Sequence, residues 1–152
     1  MQTAMTVEDC YVDSSALRQL YAHDRHSPQM AAWRFKNPGA LGVTRFTRAE
    51  LVNSMAAAVH RRDIAPEEWQ DFQNDLAADF SSDRLRLVDV PWRAVLDRAT
   101  ELSRLHTPNV GTRTLDVLHV ASALELKARH FVTYDVRQSR LAASCGLKVI
   151  QP

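Results

Sequence analysis

The 152-residue sequence predicts a single α/β domain, an α/β/α sandwich with a mostly parallel central sheet of about five short strands. Three observations carry that expectation. Five short apolar runs alternate with segments that carry helical periodicity. The composition, 45% apolar and 24% charged, is that of a soluble globular chain long enough to bury a real core. No internal repeat or low-complexity linker divides the chain.

Taken in order, "DCYVD" (residues 9–13) reads as the first strand, ending at Asp13, and "SSALRQLYAH" (14–23) as a helix. "SPQMAAWRFK" (27–36) is a second helix, opened by Pro28 and closed by "NPG". "ALGVTRF" (40–46) is a strand and "TRAELVNSMAAAVHRRD" (47–63) a long helix. "PEEWQDFQNDLAADF" (66–80) places Trp69, Phe72, Leu76 and Phe80 on one stripe. Asp71, Asp75 and Asp79 share another, which reads as a solvated face. "LRLVDV" (85–90) is a strand, "PWRAVLDRATELSRLH" (91–106) a helix and "TPNVG" (107–111) a loop. "RTLDVLHVASAL" (113–124) is a helix rich in Leu, Val and Ala. "HFVTYD" (130–135) is a strand, "VRQSRLAASC" (136–145) a helix stopped by Gly146, and "LKVI" (147–150) the last strand.

Several function classes lose ground at once. No apolar run approaches membrane-span length, and "MQTAMTVEDC" lacks the basic start and hydrophobic stretch of a secretion signal, so a cytoplasmic protein with no membrane contact is expected. Cys10 and Cys145 do not make a disulfide framework and read as buried reduced thiols. Zinc motifs such as CxxC and HExxH are lacking. The net charge of +1 hides an asymmetry: residues 63–83 hold seven acids and no Lys or Arg, leaving +8 elsewhere. Sixteen of the 19 basic residues are Arg, which suits phosphate recognition, although a codon preference explains the bias equally well.

Four carboxylates stand out. Asp13 ends the first strand and Asp135 the "HFVTYD" strand; either has a local explanation as a helix N-cap. Glu50, three residues after Thr47, fits a capping box. Asp116 is the misplaced charge of its helix. At about 100° per residue it lines up with Val120 and Ala123, opposite the expected water-facing side of Ser122, Glu125 and Arg129. It could also complement the helix dipole. Collectively, parallel strands would bring all four to one carboxyl edge, where α/β folds bind ligands. Four such groups cannot all stay ionised uncompensated. An oxygen-only set favours Mg²⁺ or Mn²⁺, and a metal so held suits phosphodiester hydrolysis.

"YVDSSAL", "TRFTRAELVN", "RTLDVLHVASAL" and "FVTYD…GLKVI", in this order from about Asp9 to Ile150, resemble the PIN-domain ribonucleases, most of all the VapC toxins of VapBC toxin–antitoxin pairs. The resemblance implies an acidic site of Asp13, Glu50, Asp116 and Asp135, serving as catalytic residues and metal ligands. It also implies hydroxyl support from Ser15 and Thr133, Mg²⁺- or Mn²⁺-dependent RNA cleavage, a homodimer, and a cognate antitoxin that covers the site. Gln19 stands where relatives often carry Lys, and residues 1–8 read as a flexible extension, with Met5 an alternative start. His119 reads as a hydrogen-bonded packing residue beside the site. Arg45, Arg48, Arg113 and Arg137 lie beside the acids as candidate phosphate contacts, with surface solvation or ion pairing the alternative. A recessed acidic site would take RNA that is single-stranded or looped. Met30, Trp33 and Phe35 either pack in the core or face a partner.

Two rival readings remain. A catalytically silent PIN-like module would bind RNA or protein without turnover. A receiver-like phosphoacceptor domain would want a Lys after the last strand, whereas Lys148 lies inside it.

Overall fold

The computed structural model describes residues 6–152. Residues 1–5 of the expected extension lie outside the described residues. Thr6 precedes a 3₁₀ turn, Val7–Asp9, in which Val7 is buried against the core.

Among the described residues five strands, β1 (Cys10–Val12), β2 (Leu41–Thr44), β3 (Leu85–Val88), β4 (His130–Val132) and β5 (Lys148–Ile150), alternate with seven helices. The helices are α1 (Ser14–Arg18), α2 (Ser27–Lys36), α3 (Arg45–His60), α4 (Pro66–Ser81), α5 (Trp92–Val110), α6 (Thr114–Glu125) and α7 (Val136–Ser144). All strand pairs are parallel: β1–β4, β4–β5 and, as a separate ladder, β2–β3. β1 and β2 lie side by side without a ladder between them, so the spatial order is β3-β2-β1-β4-β5. The chain builds outward from β1 in one direction and then returns to its other side. That reversal puts a topological switch at the carboxyl end of β1, where Asp13 follows directly.

The two-residue strand period sorts the core into two layers. Val12 and Val132 join Leu17, Met30, Leu51, Met55, Phe72 and Leu76 beneath α1–α4. Tyr11 and Phe131, opposite each other in the β1–β4 register and stacked at 5.4 Å, join Val95, Val117, Val120 and Leu141 beneath α5–α7. The expected sandwich is therefore present.

Several local expectations change. α1 stops at Arg18 instead of running to His23, because Ser27 Oγ takes the Asp24 amide at 2.9 Å and donates to the Ala22 carbonyl at 2.6 Å, turning the chain. α3 begins at Arg45, capped by Thr44 Oγ1 on the Thr47 amide at 3.0 Å; Glu50 therefore sits in the second turn and closes no capping box. "TPNVG" is not a loop: α5 continues through Pro108 to Val110. Only the last turn contains the proline, and Gly111, at φ 70°, supplies the left-handed stop. On α6 the expected wet side is dry at Ser122, which is buried because α5 and α7 flank the helix while Glu125 pairs outward with Arg98.

The stripe on α4 behaves as expected. Phe72 and Leu76 are buried, Trp69 and Phe80 pack partly, and Asp71 and Asp75 face solvent. Asp79 departs from it by accepting Tyr21 Oη at 2.5 Å. Met30 is core and Trp33 packs against it, whereas Phe35 is exposed. Cys10 is buried, Cys145 half-buried, and neither forms a disulfide. Among the described residues no helix is long and apolar enough to cross a membrane.

Candidate active site

Parallel strands deliver their following residues to one edge, and the first polar cluster there is built on Asp13. It caps α1: Oδ1 accepts the Ala16 amide at 2.9 Å. Thr133, just after β4, donates to Oδ2 at 2.6 Å, and Ser15 donates from 2.8 Å. Both hydroxyls work twice, since Thr133 Oγ1 also accepts the Asp135 amide at 2.9 Å and Ser15 Oγ the Tyr134 amide at 3.0 Å. Asp13 is wholly buried. Burial pushes its pKa up, and the opposing charge of His119 and the hydrogen bonds only partly counter it.

Asp135 caps α7, with Oδ1 accepting the Arg137 and Gln138 amides at 2.9 and 3.0 Å. The capping role foreseen for both Asp13 and Asp135 is therefore present alongside their place at the edge. Asp116, in the first turn of α6, is 1% exposed. Its Oδ2 accepts the Arg113 amide at 2.9 Å and Arg113 Nε at 3.1 Å. Its Oδ1 accepts Arg113 Nη2 at 3.1 Å and Gln138 Nε2 at 3.2 Å. Burial acts to raise this carboxyl, but the Arg113 bonds and charge outweigh it and hold the pKa below the ordinary value. Arg113 Nη2 also reaches Asp135 Oδ2 at 3.4 Å.

Glu50 approaches from the second turn of α3. His119 Nε2 meets its Oε1 at 2.8 Å, and the Ser14 hydroxyl donates to the same oxygen. Burial would raise Glu50, but these hydrogen bonds and the His119 charge leave its pKa lowered. A carboxylate only accepts, so Nε2 carries the proton; in a neutral ring Nδ1 then accepts from Tyr11 Oη, 2.8 Å away. His119 is thus a buried, hydrogen-bonded packing residue, and it also holds Glu50.

The four acids lie in one linked neighbourhood. Thr133 connects Asp13 to Asp135, Arg113 and Gln138 connect Asp135 to Asp116, and His119 secures Glu50. Among the described residues, however, no three His, Cys, Asp or Glu side chains converge closely enough to share one ion as they stand. The remaining arginines face differently. Arg45 pairs with Asp89, Arg48 lies over the Phe80 ring at 5.9 Å, and Arg137 is exposed on the first turn of α7. Sequence reading missed Tyr11, Ser14 and Gln138. Gln138 is the third residue after Asp135 in a helix start, a spacing that places it beside the cap. Tyr11 and Ser14 carry no comparable signal.

A carboxylate-lined switch point on a five-stranded parallel α/β/α sandwich defines a recognised class: the PIN-domain model matches residues 10–144, and the chain belongs to the PIN-domain family. Among solved structures, the fold is similar to that of Mycobacterium tuberculosis VapC20, described as a sarcin-ricin loop cleaving toxin. The TM-score is 0.68 at 14% identity, covering 94% of this chain and 99% of that one. No curated protein matches. The family read from the four sequence motifs is thereby borne out. The receiver-like alternative falls away, with Lys148 opening β5 instead of following it.

Proposed function

We propose that this chain is a divalent-metal-dependent endoribonuclease acting as the toxin of a type II toxin–antitoxin pair. The observation that carries the reading is the sharing of one cation, the Arg113 guanidinium, by Asp116 and Asp135, with Thr133 tying Asp135 to Asp13. Carboxylates that already gather a positive charge are a donor set suited to Mg²⁺ or Mn²⁺. Asp13, Asp116, Asp135 and Glu50 would hold it. When bound, such an ion supplies Lewis-acid polarisation of a phosphate oxygen and a water of lowered pKa.

The rest of the chemistry belongs to this chain's side chains. Ser15 and Thr133 orient Asp13, the α7 amides orient Asp135, and His119 with Ser14 orients Glu50, so that each of these carboxylates is held by donors of its own. Arg113 and Arg137 stand at the rim for the RNA backbone. Phosphate contacts from Arg45 and Arg48 require them to leave Asp89 and Phe80. The substrate is RNA in a single-stranded or looped form, since the recessed acids cannot reach into a duplex; the loop-cleaving description of VapC20 supports this choice. Exposed Phe35, Leu96, Leu105, Leu115 and Val136 offer apolar surface for an antitoxin and a second copy of the chain, in the cytoplasm.

The test is cleavage of a mixed RNA pool by purified protein in Mg²⁺, Mn²⁺ or EDTA, beside a folded Asp116→Asn variant. Metal-dependent cutting that falls at least about a hundredfold in the variant is expected. Equal cutting by both would remove Asp116 from the site. RNA binding without cutting by either would make the chain a silent binding module.

A further inference from the structure

We propose that Arg113 is a tethered counter-cation of the acidic site: a divalent ion takes Asp116 and Asp135 only as the guanidinium leaves them, and the freed guanidinium is then available to RNA phosphate. This rests on the functional reading above. A carboxylate offers about four lone-pair directions, and at Asp116 all are taken. The Arg113 amide and Nε occupy Oδ2, while Arg113 Nη2 and Gln138 Nε2 occupy Oδ1. With Asp116 1% exposed, no open coordination direction remains until a donor withdraws.

Gln138 is buried and its amide is hemmed in; the Arg113 side chain is 63% exposed. Arg113 is therefore the donor that can withdraw. Its backbone sits at the N-cap of α6 in extended geometry, φ −85° and ψ 162°. Side-chain torsions alone can lift the guanidinium, because the backbone amide keeps its own bond to Asp116 Oδ2. One residue thereby neutralises the carboxylates without metal and presents a planar fork suited to phosphate once metal has replaced it. Metal and RNA then reinforce each other: each removes the partner that competes with the other.

The experiment measures Mn²⁺ binding to the RNA-free full chain by calorimetry and by the spin resonance of free Mn²⁺. Wild type is compared with Arg113→Ala, Arg113→Lys and Asp116→Asn, with thermal melts to confirm folding. Arg113→Ala should bind Mn²⁺ roughly three- to tenfold tighter, the scale of a partly exposed bidentate ion pair, yet with Mn²⁺ saturating it should bind single-stranded RNA several-fold more weakly. A residue that merely supported the fold would weaken both. Arg113→Lys, which keeps the charge but cannot span two carboxylates, should fall between.

Unchanged or weaker Mn²⁺ binding in Arg113→Ala, with Asp116→Asn losing it, overturns the counter-cation role and leaves the metal site standing. Wild type and Asp116→Asn binding Mn²⁺ equally, or neither binding it, overturns the functional reading and this inference together. In wild type, free of any folding defect, the Arg113 Nε–H resonance should shift as Mg²⁺ saturates. A resonance that stays in place at saturation also refutes the exchange.

Discussion

Replacing His119 with Leu preserves much of its volume while deleting both of its hydrogen bonds. The ring is fully buried between Tyr11 Oη and Glu50 Oε1, each 2.8 Å away. Tyr11 would keep only the Thr47 hydroxyl at 3.3 Å, and an under-satisfied buried hydroxyl costs about 1–3 kcal/mol. Glu50 retains Ser14 and some solvent, so its loss is nearer ~1 kcal/mol. The sum, roughly 2–4 kcal/mol, corresponds to a Tm about 5–12 °C lower for a domain of this size.

Differential scanning calorimetry of His119→Leu, Tyr11→Phe and the double variant isolates the cause. Removing the stranded hydroxyl should restore part of the loss, giving a coupling of at least ~1 kcal/mol. RNA cleavage should fall roughly 10–100-fold in His119→Leu through the released Glu50. Additive stability changes within ~0.5 kcal/mol would refute the Tyr11–His119–Glu50 chain.

The acids should also separate by the sign of their effect on the metal-free protein. Glu50 and Asp116 are lowered in the fold, so their stabilisation is complete above their ordinary values of 4.5 and 3.8 and is lost as pH falls through the lower folded values. Asp13 is raised, so its protonated form favours folding, and that contribution fades as pH climbs from 3.8 through the folded value. In EDTA, urea unfolding should show a flatter acid limb for Glu50→Gln. Asp13→Asn keeps the cap but turns an amide donor toward the Thr133 hydroxyl, so its stability relative to wild type should rise from about pH 4 to pH 7; a relative fall over that range would contradict the assignment. Arg34 is buried and donates to the carbonyls of Asn37, Gly39 and Arg84 at 2.6, 2.5 and 2.9 Å, joining α2 to β3. Arg34→Lys cannot reach all three and should cost about 2 kcal/mol in denaturant melts, with cleavage per folded molecule unchanged.

Periodicity and local chemistry in the sequence were enough to determine the sandwich. Alternation in "CYV" and "HFV" sends Val12 and Val132 to one layer and Tyr11 and Phe131 to the other, because side chains on an extended chain must alternate. Asp13 and Asp135 were visible as strand-ending acids for the same reason, and Asp116 as a charge on an apolar stripe. The misreadings were also local. "TPNVG" carries a loop's composition, yet α5 tolerates Pro108 in its last turn; Thr47 and Glu50 have capping-box spacing, yet Thr44 caps α3.

Tertiary structure decided what each acid does. Glu50 meets His119 across 69 residues and Thr133 meets Asp13 across 120, separations that no local pattern records. The burial of Ser122 and the partners of Arg113 likewise depend on α5, α7 and Asp135 arriving from elsewhere in the chain. Hydrophobic period is a property of one segment and can be read there. The charge state and partners of a polar group depend on the whole surrounding volume, which exists only after the segments have packed.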